Sequence, residues 1–179
     1  LTLDDGFMSI DVPDVESKFT LGGGDDYYHG IKISNSEIGL SSLRVEAWTL
    51  RLVCMNGMVA RTTTGRTAKR HVLTGLVDGL PVLINMAMEN RKETEQSLIN
   101  AKGIVVFDPD TTYDTLFRRF GVSPKLQGAV EISREQHGKV ESLYDIIQTF
   151  THSAKHGNLS ADESYRLEEV GGLLLGLKR

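Results

Sequence analysis

The stretch Gly30–Arg61, GIKISNSEIGLSSLRVEAWTLRLVCMNGMVAR, decides how the rest of the chain is read, because apolar runs, a turn triplet, a lone cysteine and an Asn-Gly pair all fall within it. Tyr28, Ile31 and Ile33 predict a strand over Tyr27 to Ser34. Leu43, Val45 and Ala47 alternate with Arg44 and Glu46, the period of two that a half-buried strand requires. Between these runs, Asn35-Ser36-Glu37 followed by Gly39 is turn chemistry. Beyond Ala47 the alternation changes phase, since Leu50, Leu52 and Cys54 stand where the charged positions stood. A bulge in the strand or a helix beginning near Trp48 would each account for this. With a helix, Gly57 is the left-handed residue after its C-terminus; with a hairpin, Asn56-Gly57 is the turn. The helix is preferred, because Leu50, Val53 and Cys54 share one helical face. Met58 to Thr63 then reads as another strand.

Upstream, residues 1–29 are acidic, with Asp4, Asp5, Asp11, Asp14, Glu16, Asp25 and Asp26, and read as an extended N-terminal arm. Gly22-Gly23-Gly24 is a hinge and not a phosphate cradle, since no Lys-Ser/Thr follows it. Asp25, Asp26, His29 and Glu37 include the donor types a divalent cation takes, at a spacing that matches no defined metal loop. Solvated acids ahead of a strand are the plainer account, and no cofactor is predicted.

Downstream, residues 60–71, ARTTTGRTAKRH, hold Arg61, Arg66, Lys69, Arg70 and His71 without a single acid. Such a strip is a candidate phosphate-contacting surface, with Thr62, Thr63 and Thr64 as hydroxyl donors. The alternative is an exposed loop whose cations pair with the acidic arm. An amphipathic helix is predicted from Val82 to Ala101, with Pro81 at its start and Gly103 as its stop. Ile104 to Phe107 reads as a short strand, and Thr111 to Phe120 as a helix capped by Asp110 and ended by Gly121. Residues 121–138 look like a linker. Val140 to His156 reads as a helix closed by Gly157-Asn158, and Ser160 with Glu163 forms a capping box for the last one. Gly171-Gly172 weakens that last helix or lets another element approach closely. His152 and His156 lie four apart, a spacing a metal site can use, but no Glu follows His152, so the zincin pattern fails and a partly exposed helix face is the plainer account.

The 179 residues, 40% of them hydrophobic, suit one domain with a real core. A net charge of -4 argues against a chain that coats nucleic acid with its whole surface, while leaving room for a local basic patch. The single cysteine excludes an intramolecular disulfide and a Cys-rich zinc site, which fits a reducing, intracellular setting. With no long apolar run the chain is expected to be non-membrane, and its start at Leu1 fits a trimmed or partial protein. The expected fold is α+β: a small antiparallel or mixed sheet in the N-terminal half packed against several helices. Residues 1–29 form the arm, residues 30–121 the α+β core, and residues 122–179 a helical part packed on the same domain.

Ile33-Ser34-Asn35-Ser36-Glu37-Ile38-Gly39, Arg51-Leu52-Val53-Cys54 and Asn56-Gly57-Met58-Val59 resemble the phage/plasmid-like family of domains of unknown function, in its Asn-Ser-Glu-x-Gly turn and Arg-x-x-Cys-x-Asn segment. Leu143-Tyr144-Asp145, Phe150-Thr151 and His156 are similar, more loosely, to the family's helical part. The resemblance implies an α+β fold and a phage or mobile-element origin in a bacterial or archaeal cytoplasm, and transfers no catalytic residue.

The function expected is nucleic-acid binding, in the form of an oligomeric single-stranded DNA binding or annealing protein. Arg61, Arg66, Lys69 and Arg70 would neutralise phosphates, with Trp48 or Tyr28 stacking on bases, or Trp48 packed in the core instead. One alternative is a protein-interaction or host-inhibitory phage factor, whose acidic arm mimics nucleic acid. The other is a metal-dependent nuclease built on Asp25, Asp26, His29 and Glu37. Cys54 near Arg51 has the setting of an activated thiol, but its neighbours Val53 and Met55 favour a buried structural one.

Overall fold

The structure, a computed structural model, describes residues 2–4, 7–21, 25–35, 44–51, 56–60, 81, 85, 89 and 91–177. Five strands, β1 (Thr2–Asp4), β2 (Phe7–Leu21), β3 (Asp25–Asn35), β4 (Arg44–Arg51) and β5 (Asn56–Ala60), form one sheet in the order β1-β2-β3-β4-β5. Every neighbouring pair is antiparallel, so the described sheet is a plain meander and the fold is α+β.

The sheet corrects two expectations. The segment read as an extended arm, residues 1–29, carries strands of the sheet itself, since β1, β2 and the start of β3 all pair within it. Their pattern hid this because polar Ser9 is buried while Val12 and Val15 are exposed, and because the β2–β3 register shifts between Asp14 and Phe19. The glycines 22–24 expected as a hinge lie outside the described residues. The second correction concerns Trp48, which opens no helix: residues 44–51 are all strand. β4 is paired on both sides, with β3 and with β5, and such an interior strand need not keep a clean polar alternation. Asn56 and Gly57 are not a turn tip either, for they stand in the β5 ladder opposite Arg51 and Leu50.

Among the described residues the helical half comprises α1 (Arg91–Gly103), α2 (Pro109–Phe120), α3 (Pro124–His137), α4 (Leu143–His156) and α5 (Ala161–Leu175). Pro81, Asn85 and Glu89, within the helix expected from Val82, are also helical and exposed. The supposed linker over residues 121–138 is mostly α3. Its start signal is Ser123, whose hydroxyl accepts from the Leu126 N–H, followed by Pro124 where a missing N–H costs nothing. Leu126, Ala129, Val130 and Ser133 then recur at helical spacing on the buried side. Asp108 rather than Asp110 caps α2, accepting from the Thr111 N–H at 3.2 Å, and Gly121 ends it at φ 59. Ile104 to Phe107 reaches only an isolated bridge between Val105 and Ser142.

Ser142 with Asp145 and Ser160 with Glu163 are reciprocal capping boxes that start α4 and α5. α4 is the axis of the core, with Ile146, Ile147 and Phe150 fully buried against Tyr113 and Phe117 of α2 and Leu167, Val170 and Leu174 of α5. Each such side chain contributes roughly 1.5–3 kcal/mol by leaving water. Gly171 is where α5 meets α4 closely, because a Cβ there would lie 2.8 Å from Thr151 Cγ2. Leu21 and Tyr27 join the sheet to this core, and the Tyr27 and Tyr144 hydroxyls are hydrogen-bonded to each other.

Candidate functional site

The strip Arg61, Arg66, Lys69, Arg70 and His71 lies outside the described residues, as do Ser36, Glu37 and Cys54. The remaining motif residues are placed by the sheet. Asn35 ends β3 opposite Met8, and Arg51 ends β4 between Tyr27 and Asn56. Trp48 stands in register with Gly30 on one side and Val59 on the other, and Gly57 faces Leu50. The β4–β5 ladder therefore collects Trp48, Arg51, Asn56 and Gly57 on adjacent strands. Its last described rung is Ala47 opposite Ala60, and the basic strip follows Ala60 in sequence.

A second cluster was not foreseen. Register sets Asp11, Lys32 and Glu46 side by side on β2, β3 and β4, with Ser9 and Ser34 one rung along on the same face. The Lys32 side chain, 3% exposed, donates to Glu168 of α5, itself 2% exposed. Lys32 also lies 3.1 Å from Asp11 Oδ1, near enough for attraction although that oxygen has no well-directed hydrogen bond. Lys155 of α4 stands 3.3 Å from the other Glu168 oxygen and 3.9 Å from Asp11. The Tyr165 hydroxyl donates to Glu46 Oε2, whereas Ser34 Oγ and Glu46 Oε1 are buried with no hydrogen-bond partner among the described residues.

Burial alone would push the Lys32 ammonium down, but the adjacent Glu168 and Asp11 carboxylates outweigh it and hold the group above its ordinary 10.5. A lysine that keeps its proton serves as an ion-pair partner. Two ammonium groups balance Asp11 and Glu168, and the network clamps α5 and α4 onto the sheet. The only sequence signal was a lysine between Ile31 and Ile33, because its main partner lies 136 residues further along.

Of the candidate metal set, Glu37 lies outside the described residues, and Asp26 and His29 are taken up by other partners. Asp26 takes the Lys18 ammonium at 2.7 Å and the Thr20 hydroxyl at 2.6 Å, and these bonds, Lys18 first, hold its carboxyl below the usual 3.8. His29 is buried, with Nδ1 3.2 Å from Thr49 Oγ1, Nε2 3.3 Å from Glu95 and its ring stacked on Phe19. Strand alternation turns positions 26 and 29 to opposite faces. Among the described residues no group of three or more His, Cys, Asp or Glu side chains is arranged to hold a metal ion.

Of the other cations, Lys125 pairs with Glu163 at 2.7 Å and Arg134 with Asp110, while Arg118 and Arg119 are exposed in the last turn of α2. No helix among the described residues is long and apolar enough to cross a membrane. Comparison of the chain with protein-family models, with curated proteins and with solved structures found no match.

Proposed function

We propose that the chain is a nucleic-acid-binding protein of phage or mobile-element type, acting as an oligomer on single-stranded DNA in a bacterial or archaeal cytoplasm. Arg61, Arg66, Lys69, Arg70 and His71 supply the phosphate contacts, following directly in sequence on the strand that pairs with β4 and its Trp48. The observation that supports this reading best concerns two of the seven acids of the opening segment, which would be partners if the strip were internally neutralised. Asp11 is committed to Lys32 and Lys155, and Asp26 to Lys18 and Thr20.

The test is single-strand affinity as a function of salt. Each phosphate neutralised adds about 0.7 to the slope of log affinity against log salt, so removing four contacts in R61A/R66A/K69A/R70A flattens that slope by roughly 3. A slope that the variant leaves unchanged removes the strip from the interface. The alternative of contact with another protein is supported by Phe107, which is 94% exposed beside Val105 at 57%. Recovery of the same partner from host lysate by wild type but not by Phe107→Ser, with DNA binding intact in both, would favour it.

A further inference from the structure

The C-terminal half of α4 carries two imidazoles that the reading above leaves unused. We infer that His152 and His156 form a two-histidine chelate for a first-row transition metal ion such as Zn²⁺ or Ni²⁺, with Ser133 of α3 orienting His152. Positions four apart lie one above the other on a helix, and the two rings are 4.4 Å apart between centroids with 34° between their planes. Neither imidazole is shut away from solvent. Ser133 Oγ sits 2.7 Å from His152 Nδ1. A metal-bound histidine needs such a partner on its other nitrogen, because that bond fixes ring orientation and leaves Nε2 as the metal donor.

The charges around the pair are compatible with a neutral donor set. His137, the titratable group facing His152 from α3, is 3.7 Å from Asp145, and Lys155 beside the pair is turned toward Glu168 and Asp11. Imidazole nitrogen is a donor for zinc, nickel and copper rather than for magnesium or calcium. With no third protein ligand among the described residues, the remaining positions belong to water or to a donor from outside.

Titration calorimetry of the whole chain at pH 7.5, with Zn²⁺ and separately with Ni²⁺, tests this. One equivalent is expected to bind, with affinity falling about tenfold or more in His156→Gln, an exposed position where the substitution leaves the fold intact. Ser133→Ala should weaken binding about 10–100-fold without abolishing it. No binding, or affinity equal in wild type and His156→Gln, overturns the site. So does a melting temperature that Zn²⁺ raises equally in both. The outcome is independent of DNA binding, which is read separately by the salt slope.

Discussion

Replacing Lys32 by Met probes the clamp between sheet and helices directly. The methylene stem is roughly conserved in volume, so the substitution removes the ammonium while leaving Glu168, 2% exposed, and Asp11 facing the gap. Breaking a buried pair by deleting one partner costs about 3–5 kcal/mol, because the remaining charge is uncompensated. Lys155, 3.3 Å from Glu168, neutralises part of that charge, which places the expected loss near the lower end, about 3 kcal/mol. At about 2–4 °C per kcal/mol for a chain of this size, the melting temperature should fall by roughly 6–12 °C. The double variant K32M/E168L replaces the pair by apolar groups and should recover most of the loss, leaving a coupling of about 2 kcal/mol or more between the two sites. Urea denaturation with an unchanged slope is the assay. A single-variant loss under about 1 kcal/mol, or additive single losses in the double variant, would mean that the pair is screened by water and that something else holds α5 on the sheet.

Gly171→Ala should destabilise despite alanine's helix preference, since the new Cβ meets Thr151 Cγ2 at 2.8 Å; overpacking of about 1–3 kcal/mol opposes a propensity gain near 1 kcal/mol. Thr151→Ser removes that methyl and should rescue the variant, and absence of rescue in thermal melts would place the strain elsewhere. Tyr113→Phe deletes the 2.9 Å bond to Thr149 Oγ1 and should cost about 1 kcal/mol by the same measurement, with no change counting against it. Burial pushes that phenol up to about 12, so it stays protonated through the physiological range. His152 titrates below its ordinary 6.5 when folded, so the unfolded chain binds protons more readily. Its contribution is full above pH 6.5 and is lost as pH falls below that value, a slope that His152→Gln should flatten in pH-dependent melts. At lower pH, Glu163, depressed by Lys125 and then Ser160, follows the carboxylate rule. Its contribution is present above 4.5 and lost on further acidification, less steeply in Lys125→Ala if the ion pair is the cause.

The helical half was largely legible because its signals are local. The Ser160–Glu163 box, the Gly121 stop and the apolar faces of residues 113–120 and 143–154 lie within a few turns of the residues they act on. α3 escaped because residues 121–138 have the composition of a linker, although Ser123-Pro124 within them is a helix start. The sheet was half legible. β3 and the first part of β4 show their alternation, whereas β2 hides it by burying Ser9 and exposing Val12. Asp11, Lys32 and Glu168 each look like ordinary surface charges in sequence. Only strand register and the return of α5 bring them together, and no local pattern encodes that distance.

The strictly sequential meander bears on how the molecule is made. Each strand pairs with the one synthesised just before it, so hairpins can zip together while translation is still under way. The ammonium of Lys32 has Asp11 across the β2–β3 ladder from the start, whereas its second carboxylate, Glu168, leaves the ribosome 136 residues later. Burial of that face of the sheet therefore depends on the last helix to be made, because only α5 brings the carboxylate that completes the charge pairing there.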